Sequence, residues 1–139
     1  MKRGKRKVSD VFDIEMKDPL VSILAYSLMP NHFHILITEH IDGGITKFMS
    51  KLLTAYSMYF NTRYSRSGAL LCHPFRARHI DSDEYFRWVI SYIHSNPIEF
   101  SKRSRAALNS YPYSSYADYF GPGREESVIV EKNALPISI

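Results

Sequence analysis

Two apolar, strand-forming runs joined by a short turn constrain the fold of this chain more than any other feature. The runs occupy 20–28 and 32–38, and residues 29–31, Met-Pro-Asn, separate them. Strand-forming runs bounded by a turn that contains proline and asparagine predict an antiparallel β-hairpin. Because side chains alternate across a strand, we expect His32 and His34 to project from the same face of the hairpin.

Two longer segments have the periodicity of helices. Apolar residues recur at helical spacing between 45 and 60, which predicts an amphipathic helix. Asp81, as an N-cap, with Glu84 three residues later is typical of a helix N-terminus, so a second helix should begin near Ser82. We expect Pro97 to mark the end of that helix.

The segment between the two helices completes the predicted topology. Residues 75–80 alternate enough to predict a third strand, with Arg76 and Arg78 on one side of it. Strands followed by helices and a further strand predict an α+β fold, in which an antiparallel sheet has helices packed on one face.

Length and composition indicate the class of protein. A chain of 139 residues, 45% hydrophobic and 23% charged, has the size and composition of a single soluble globular domain. We expect that domain to span 20–120. A basic arm or partial element at 1–19 precedes it, and a weakly patterned C-terminal tail at 121–139 follows it.

Cysteine content, apolar run length and charge bear on location and partners. The single cysteine, Cys72, excludes an internal disulfide and favours a reducing, cytoplasmic setting. No apolar run reaches the roughly 18–20 residues of a membrane-spanning helix, so we expect no membrane insertion. The formal charge of +4, with a basic cluster within 1–7, permits a nucleic-acid partner without demonstrating one.

His32 and His34 are the first candidates for chemistry. Imidazole is the commonest metal ligand in proteins, and two imidazoles side by side on a strand can hold neighbouring coordination positions of one ion. The same two residues also fit a structural interpretation, in which half-buried histidines are hydrogen-bonded to their neighbours.

Tyr92 and Asn96 lie one turn apart on the second predicted helix and are the next candidates. A phenol is a poor nucleophile at its usual pKa of about 10, so it needs a nearby cation or base to attack phosphorus. A metal ion would supply that field. Alternatively, Tyr92 is an aromatic residue of the core and Asn96 a helix residue that happens to precede a proline.

Three sequence blocks point to a known family. They are AYSLMPNHFHIL at 25–36, RSG at 66–68 with FRAR at 75–78, and YIHSNP at 92–97 followed by YSSY at 113–116. Their order and spacing resemble the IS200/IS605-like transposases, which have a His-hydrophobic-His pair and a single nucleophilic tyrosine. The likeness is strongest to the REP-associated tyrosine transposase branch, and it covers about residues 20–120.

The resemblance implies a ferredoxin-like antiparallel sheet and a metal-dependent enzyme that nicks and rejoins single-stranded or hairpin DNA. His32 and His34 match the metal-binding pair of the family, Tyr92 matches the nucleophile, and Asn96 matches a further metal ligand. The implied ion is Mg²⁺ or Mn²⁺. Attack by Tyr92 would leave a 5′-phosphotyrosine link and a free 3′-hydroxyl, and the implied partners are DNA and, in some members, a second copy of the chain.

Basic residues outside the implied active site are candidate DNA contacts. The guanidinium groups of Arg76 and Arg78 can hold phosphates bidentately. A further basic set follows the second predicted helix and comprises Lys102, Arg103 and Arg105.

The N-terminal part of the chain departs from the family pattern. Family members have an additional strand and helix before the hairpin, whereas only about twenty residues precede it here, so we expect that part to be shortened. A sheet that lacks a strand exposes unpaired backbone groups, and a paired dimer would cover them.

Three functions remain open at this point. The first is an active transposase that forms a covalent DNA adduct through Tyr92. The second is a truncated, inactive relative that binds structured DNA through its shape and phosphates. The third is a metal-dependent phosphoesterase that uses activated water and would tolerate Tyr92→Phe.

Overall fold

A two-stranded antiparallel hairpin forms the centre of the fold. The computed structural model describes residues 17–101 and 104–136. Within them, β1 (Val21–Leu28) pairs with β2 (Phe33–Glu39), with an irregularity in register between Ile23 and Ala25. The predicted hairpin is therefore confirmed.

Helices follow the hairpin and pack against it, so the predicted α+β class is confirmed. The α-helices of the described residues are α1 (Gly44–Arg63), α2 (Asp83–Ser101) and α3 (Tyr116–Phe120). Short 3₁₀ helices at Arg105–Ser110, Glu125–Ile129 and Lys132–Ala134 complete the elements.

The core lies between the hairpin and α2. Leu24, Ala25 and Leu36 of the sheet form one buried cluster with Phe86, Ile90 and Ile93 of α2. The three α2 positions recur at spacings of three and four residues, which places them on one face of the helix. That buried face orients α2 across the sheet.

The start of α2 differs slightly from the prediction. Ser82, and not Asp81, supplies the side-chain cap, because the backbone N–H of Tyr85 donates to Ser82 Oγ at 3.3 Å. Asp83 and Glu84 occupy the first turn, where the helix dipole favours negative charge.

The prediction that α2 ends at Pro97 is wrong. The helix continues through Pro97 to Ser101. An interior proline removes one backbone hydrogen bond and costs about 3 kcal/mol. Burial of Ile93 and Asn96 in the preceding turn holds the helix against the sheet, and we attribute the tolerance of Pro97 to this packing.

The prediction of a third strand at 75–80 is also wrong. These residues have no regular secondary structure, and within the described residues the sheet contains only β1 and β2. Alternation alone does not make a strand, because a strand needs the edge of another strand to pair with. Arg76 and Arg78 therefore lie on an irregular exposed segment rather than on the face of a sheet.

The edge of β1 opposite β2 is covered by the C-terminal part of the chain. Leu28 N–H donates to Tyr113 O at 2.8 Å, Ser115 N–H donates to Tyr26 O at 3.0 Å, and Glu131 N–H donates to Ile23 O at 2.9 Å. We call residues 111–131 the C-terminal clamp. The clamp makes β1 an interior strand although the sheet of the described residues has only two strands.

An ion pair holds the clamp together. Arg124 Nε and Asp118 Oδ1 are 2.7 Å apart, and the Asp118 side chain is fully buried. Ser127 Oγ also donates to Asp118 Oδ1, at 2.8 Å. Burial alone would raise the pKa of Asp118, but the hydrogen bonds from Arg124 and Ser127 outweigh it and hold that pKa below its ordinary value.

The described residues bear on only some of the remaining predictions. None of their helices is both long enough and apolar enough to cross a bilayer. The basic cluster at 1–7, the rest of 1–16, and Lys102 and Arg103 lie outside the described residues.

Candidate active site

His32 and His34 lie side by side, as the alternation of the strand predicts. Their ring centroids are 5.3 Å apart and their planes are nearly perpendicular, at 87°. His32 immediately precedes β2, and His34 pairs with Ser27 across the hairpin. His34 shares the face of the sheet that carries Leu36, two residues later, and Leu36 belongs to the core cluster beneath α2.

That shared face brings the histidines to the nucleophile candidate. The ring of Tyr92, on α2, lies 5.4 Å from the ring of His34, and the two planes are inclined at 72°. Tyr92 keeps 36% of its surface exposed. The site therefore joins two elements that are distant in sequence, and it remains open to solvent on the Tyr92 side.

The surroundings of both histidines suit metal-ligating imidazoles. His32 Nδ1 lies 2.7 Å from Asn31 Oδ1. Because that oxygen is an acceptor, Nδ1 donates in this contact, which leaves Nε2 as the nitrogen of His32 that would bind an ion. Burial, and secondarily the neighbouring His32, lowers the pKa of His34, so its imidazole is neutral at physiological pH.

Asn96 lies one turn beyond Tyr92 and is buried. Its side-chain Nδ2 donates to the carbonyl of Tyr92 at 2.9 Å. This contact fixes the amide on the helix, and it leaves Oδ1 as the atom of Asn96 that would bind a cation. Among the described residues Asn96 makes no hydrogen bond to either histidine.

The described residues do not form a closed metal centre, in which protein side chains occupy every coordination position. No group of three His, Cys, Asp or Glu side chains in the described residues is arranged to hold an ion. Two imidazoles on the strand, with an amide on α2 as a further candidate ligand, fit a different kind of centre, in which water or substrate oxygens complete the coordination. The residues present therefore fit an open site built on His32 and His34.

Arg78 lies next to α2, and Arg76 precedes it by two residues on the same irregular segment. The guanidinium carbon of Arg78 lies 5.2 Å from the centroid of the Tyr85 ring. Both arginines are exposed. The side chain of Arg105 is not described, so its predicted DNA contact stays a prediction, as do those of Lys102 and Arg103.

A row of stacked aromatic rings leads away from Tyr92 along α2. The rings of Trp88 and Tyr92 are 5.1 Å apart with planes at 8°, and those of Tyr85 and Trp88 are 5.9 Å apart with planes at 15°. We call Tyr85, Trp88 and Tyr92 the aromatic row. Their spacing of three and four residues was visible in the sequence, but their exposure and stacking were not.

His94 has a structural environment. It is 4% exposed, and its Nε2 lies 2.8 Å from Ser115 Oγ, in the clamp. Burial lowers the pKa of His94 to about 4. His94 therefore points away from Tyr92, as its position two residues later on a helix predicts.

Comparison with known proteins identifies the class. A family model described as Transposase IS200 like matches residues 2–96, which is more than half of the chain. The match includes both histidines, Tyr92 and Asn96, and it begins within 1–19, the stretch predicted to be a basic arm or partial element. Neither the curated proteins nor the solved structures gave a match.

The fold and the matched family define a DNA-processing protein of the transposase class. The chain belongs to the IS200-like transposase family. Membership carries the coarse activity of that class, which is binding and cleavage of DNA in transposition and recombination.

Proposed function

We propose that this transposase is a metal-dependent endonuclease and strand transferase of the REP-associated type, acting on single-stranded DNA that folds into hairpins. Tyr92 is the nucleophile, and His32 and His34, with Oδ1 of Asn96, hold Mn²⁺ or Mg²⁺. The observation that carries the proposal is the 5.4 Å contact between the rings of His34 and Tyr92. In this contact the phenol ring of Tyr92 lies beside the imidazole of His34, which in turn neighbours the imidazole of His32.

The chemical step follows from this arrangement. The phenol oxygen of Tyr92 attacks a backbone phosphorus atom, and its proton passes to solvent. A bond forms between that oxygen and phosphorus while the bond from phosphorus to the 3′-oxygen breaks, and the leaving oxygen takes up a proton. The products are a 5′-phosphotyrosine and a free 3′-hydroxyl, so the bond energy is kept for rejoining and no ATP is needed.

A divalent ion would supply Lewis-acid stabilisation of charge on the phosphate oxygens. His34 contributes a neutral imidazole at physiological pH, and Asn31 orients His32 through Nδ1. Imidazole ligands favour Mn²⁺ over Mg²⁺, because Mg²⁺ prefers oxygen ligands. We therefore expect Mn²⁺ to support the reaction at lower concentration than Mg²⁺.

The test is formation of a covalent adduct on labelled single-stranded hairpin DNA from the protein's own locus. Wild type and Tyr92→Phe are incubated with Mn²⁺ and separated by denaturing electrophoresis. Tyr56→Phe, which removes the hydroxyl of a half-exposed tyrosine on α1, is the matched control. We expect an adduct with wild type and Tyr56→Phe, and none with Tyr92→Phe or with EDTA.

Two other results would refute the proposal and replace it with a defined alternative. Tight binding of the hairpin with no adduct would identify a protein that binds structured DNA without cutting it. Cleavage that survives Tyr92→Phe would identify a phosphoesterase that uses activated water.

A further inference from the structure

The aromatic row exposes more apolar surface than its position on a packed helix requires. Trp88 is 57% exposed, whereas tryptophan is on average a well-buried residue. The same helix buries Phe86, Ile90 and Ile93 against the sheet. The core face of α2 is therefore already complete without Trp88, and an exposed aromatic surface of this kind marks an interaction site.

The geometry of the row suits planar ligands. Full overlap of two rings would bring their centroids to about 3.5 Å, so the near-parallel planes at 5.1 and 5.9 Å describe offset stacking. Offset leaves part of each ring face uncovered, as the exposure of Trp88 requires. From Tyr85 to Tyr92 the helix rises about 10 Å, which is the length of about three stacked bases.

The groups at the two ends of the row fix its relation to the candidate active site. At one end, Tyr92 contacts His34. At the other end, the cationic Arg78 lies 5.2 Å from the ring of Tyr85, where it can bind a phosphate. Beyond Tyr85, Asp83 and Glu84 of the first turn of α2 would repel a phosphate backbone, so the row ends there.

The geometry points to a base-stacking path for single-stranded DNA along the aromatic row, in which Trp88 and Tyr85 stack on bases that flank the reacting phosphate and Arg78 binds the backbone at the far end. The inference rests on the proposed function, because it takes the strand at Tyr92 to be the substrate. Stacking on aromatic side chains tolerates any base sequence. The path therefore holds the strand in place, while hairpin recognition falls to other parts of the protein.

The single tryptophan of the chain makes the inference directly measurable. Full-length protein is titrated with a short unpaired oligonucleotide in EDTA, so that no strand is cut, and tryptophan emission is followed together with fluorescence anisotropy of a dye on the DNA. We expect the emission to be quenched as the DNA binds. Binding without any change in emission would overturn the inference.

Variants separate stacking from nonspecific loss of binding. Trp88→Ala should weaken binding about 5- to 150-fold, and Trp88→Phe should restore part of the loss. Tyr59→Ala removes an aromatic ring of similar exposure on α1, 60%, and should leave affinity unchanged. Equal binding by Trp88→Ala and wild type would refute the path, as would equal losses in Trp88→Ala and Tyr59→Ala.

An abasic oligonucleotide tests the base itself. When an abasic nucleotide replaces the base that stacks on Trp88, wild type should lose affinity and Trp88→Ala should lose almost none, because the two changes remove the same contact. Additive losses at every position would refute the stacking contact. If sedimentation shows that Trp88→Ala dissociates a dimer while the DNA affinity stays unchanged, the aromatic row is a contact between copies of the chain. That result would also refute the inference.

The outcome also separates this inference from the proposed function. Quenching and a Trp88-dependent affinity without any Tyr92 adduct would leave the path in place and reject the nucleolytic activity. If the protein forms a Tyr92-dependent adduct, and neither the adduct yield nor the DNA affinity changes in Trp88→Ala, the proposed function would stand and the stacking path would be rejected.

Discussion

Removing Arg124 should destabilise the fold more than removing any exposed charge. Arg124 donates to both carboxylate oxygens of Asp118, with Nε to Oδ1 at 2.7 Å and Nη2 to Oδ2 at 2.9 Å. It also donates to the carbonyl oxygens of Ser114 and Pro112. In Arg124→Ala, therefore, a carboxylate that is fully buried loses its bidentate partner, and two carbonyl groups lose a donor.

The expected loss is about 3–4 kcal/mol in the free energy of unfolding. Breaking a buried ion pair from one side costs roughly 3–5 kcal/mol, since the remaining charge stays buried. Ser127 still donates to Asp118, which places the loss toward the lower end of that range. For a chain of this size the melting temperature should fall by roughly 10–15 °C.

Urea unfolding followed by circular dichroism at pH 7 measures the loss. Arg87→Ala, which removes an exposed arginine of α2, should change stability by no more than about 0.5 kcal/mol. Arg124→Lys keeps the charge but not the planar guanidinium group, so its loss of stability should lie between the losses in Arg124→Ala and Arg87→Ala. A loss in Arg124→Ala no larger than that in Arg87→Ala would refute the reasoning.

The pH dependence of the stability lost in Arg124→Ala tests whether that loss is electrostatic. The pKa of Asp118 is lower in the folded protein than in the unfolded chain, so the pair stabilises the fold fully above the unfolded value. That contribution is lost as the pH falls through the folded pKa. The difference in free energy of unfolding between wild type and Arg124→Ala should therefore become smaller in acid. A difference that does not change with pH would assign the loss of stability to packing instead.

Three further predictions concern the site and its supports. Asn31→Ala, which removes the partner of His32 Nδ1, should weaken Mn²⁺ binding about 10- to 100-fold by calorimetry, and an unchanged affinity would contradict the orienting role of Asn31. His94 has a pKa of about 4 in the folded protein against 6.5 in the unfolded chain, so the unfolded state binds more protons between these values and stability should fall as pH drops from about 6.5 to 4. His94→Gln should reduce this dependence of stability on pH, and an unaltered dependence would mean that His94 is not its cause. Because His34 and Tyr92 of one chain are in contact, mixing His32→Ala with Tyr92→Phe should not restore adduct formation, and restored activity would mean that two copies share their sites.

The parts of the fold that local patterns determine were predictable from the sequence. The hairpin, α1 and the common face of His32 and His34 each follow from a residue period that matches one element. The contact of His34 with Tyr92 was not fixed in this way, since it depends on how α2 crosses the sheet.

The wrong predictions share a physical cause, which is that distant contacts outweigh local signals. Pro97 is a strong local signal to end a helix, but the packed face of α2 carries the helix past it. Residues 75–80 have a strand-like pattern but no strand to pair with among the described residues. The ion pair of Arg124 with Asp118 joins two segments that have no residue periodicity, so no local sequence pattern predicts it.

The C-terminal clamp has a consequence for how the chain reaches its native state. Tyr26 and Ser115 are 89 residues apart, yet they are joined by buried hydrogen bonds. Contacts of such high sequence separation form slowly, since a long loop must close before they contribute. During synthesis the N-terminal hairpin emerges first, with the outer edge of β1 bare until the clamp is made. In this interval the nascent protein is most prone to aggregate, and chaperones that bind β1 would act there.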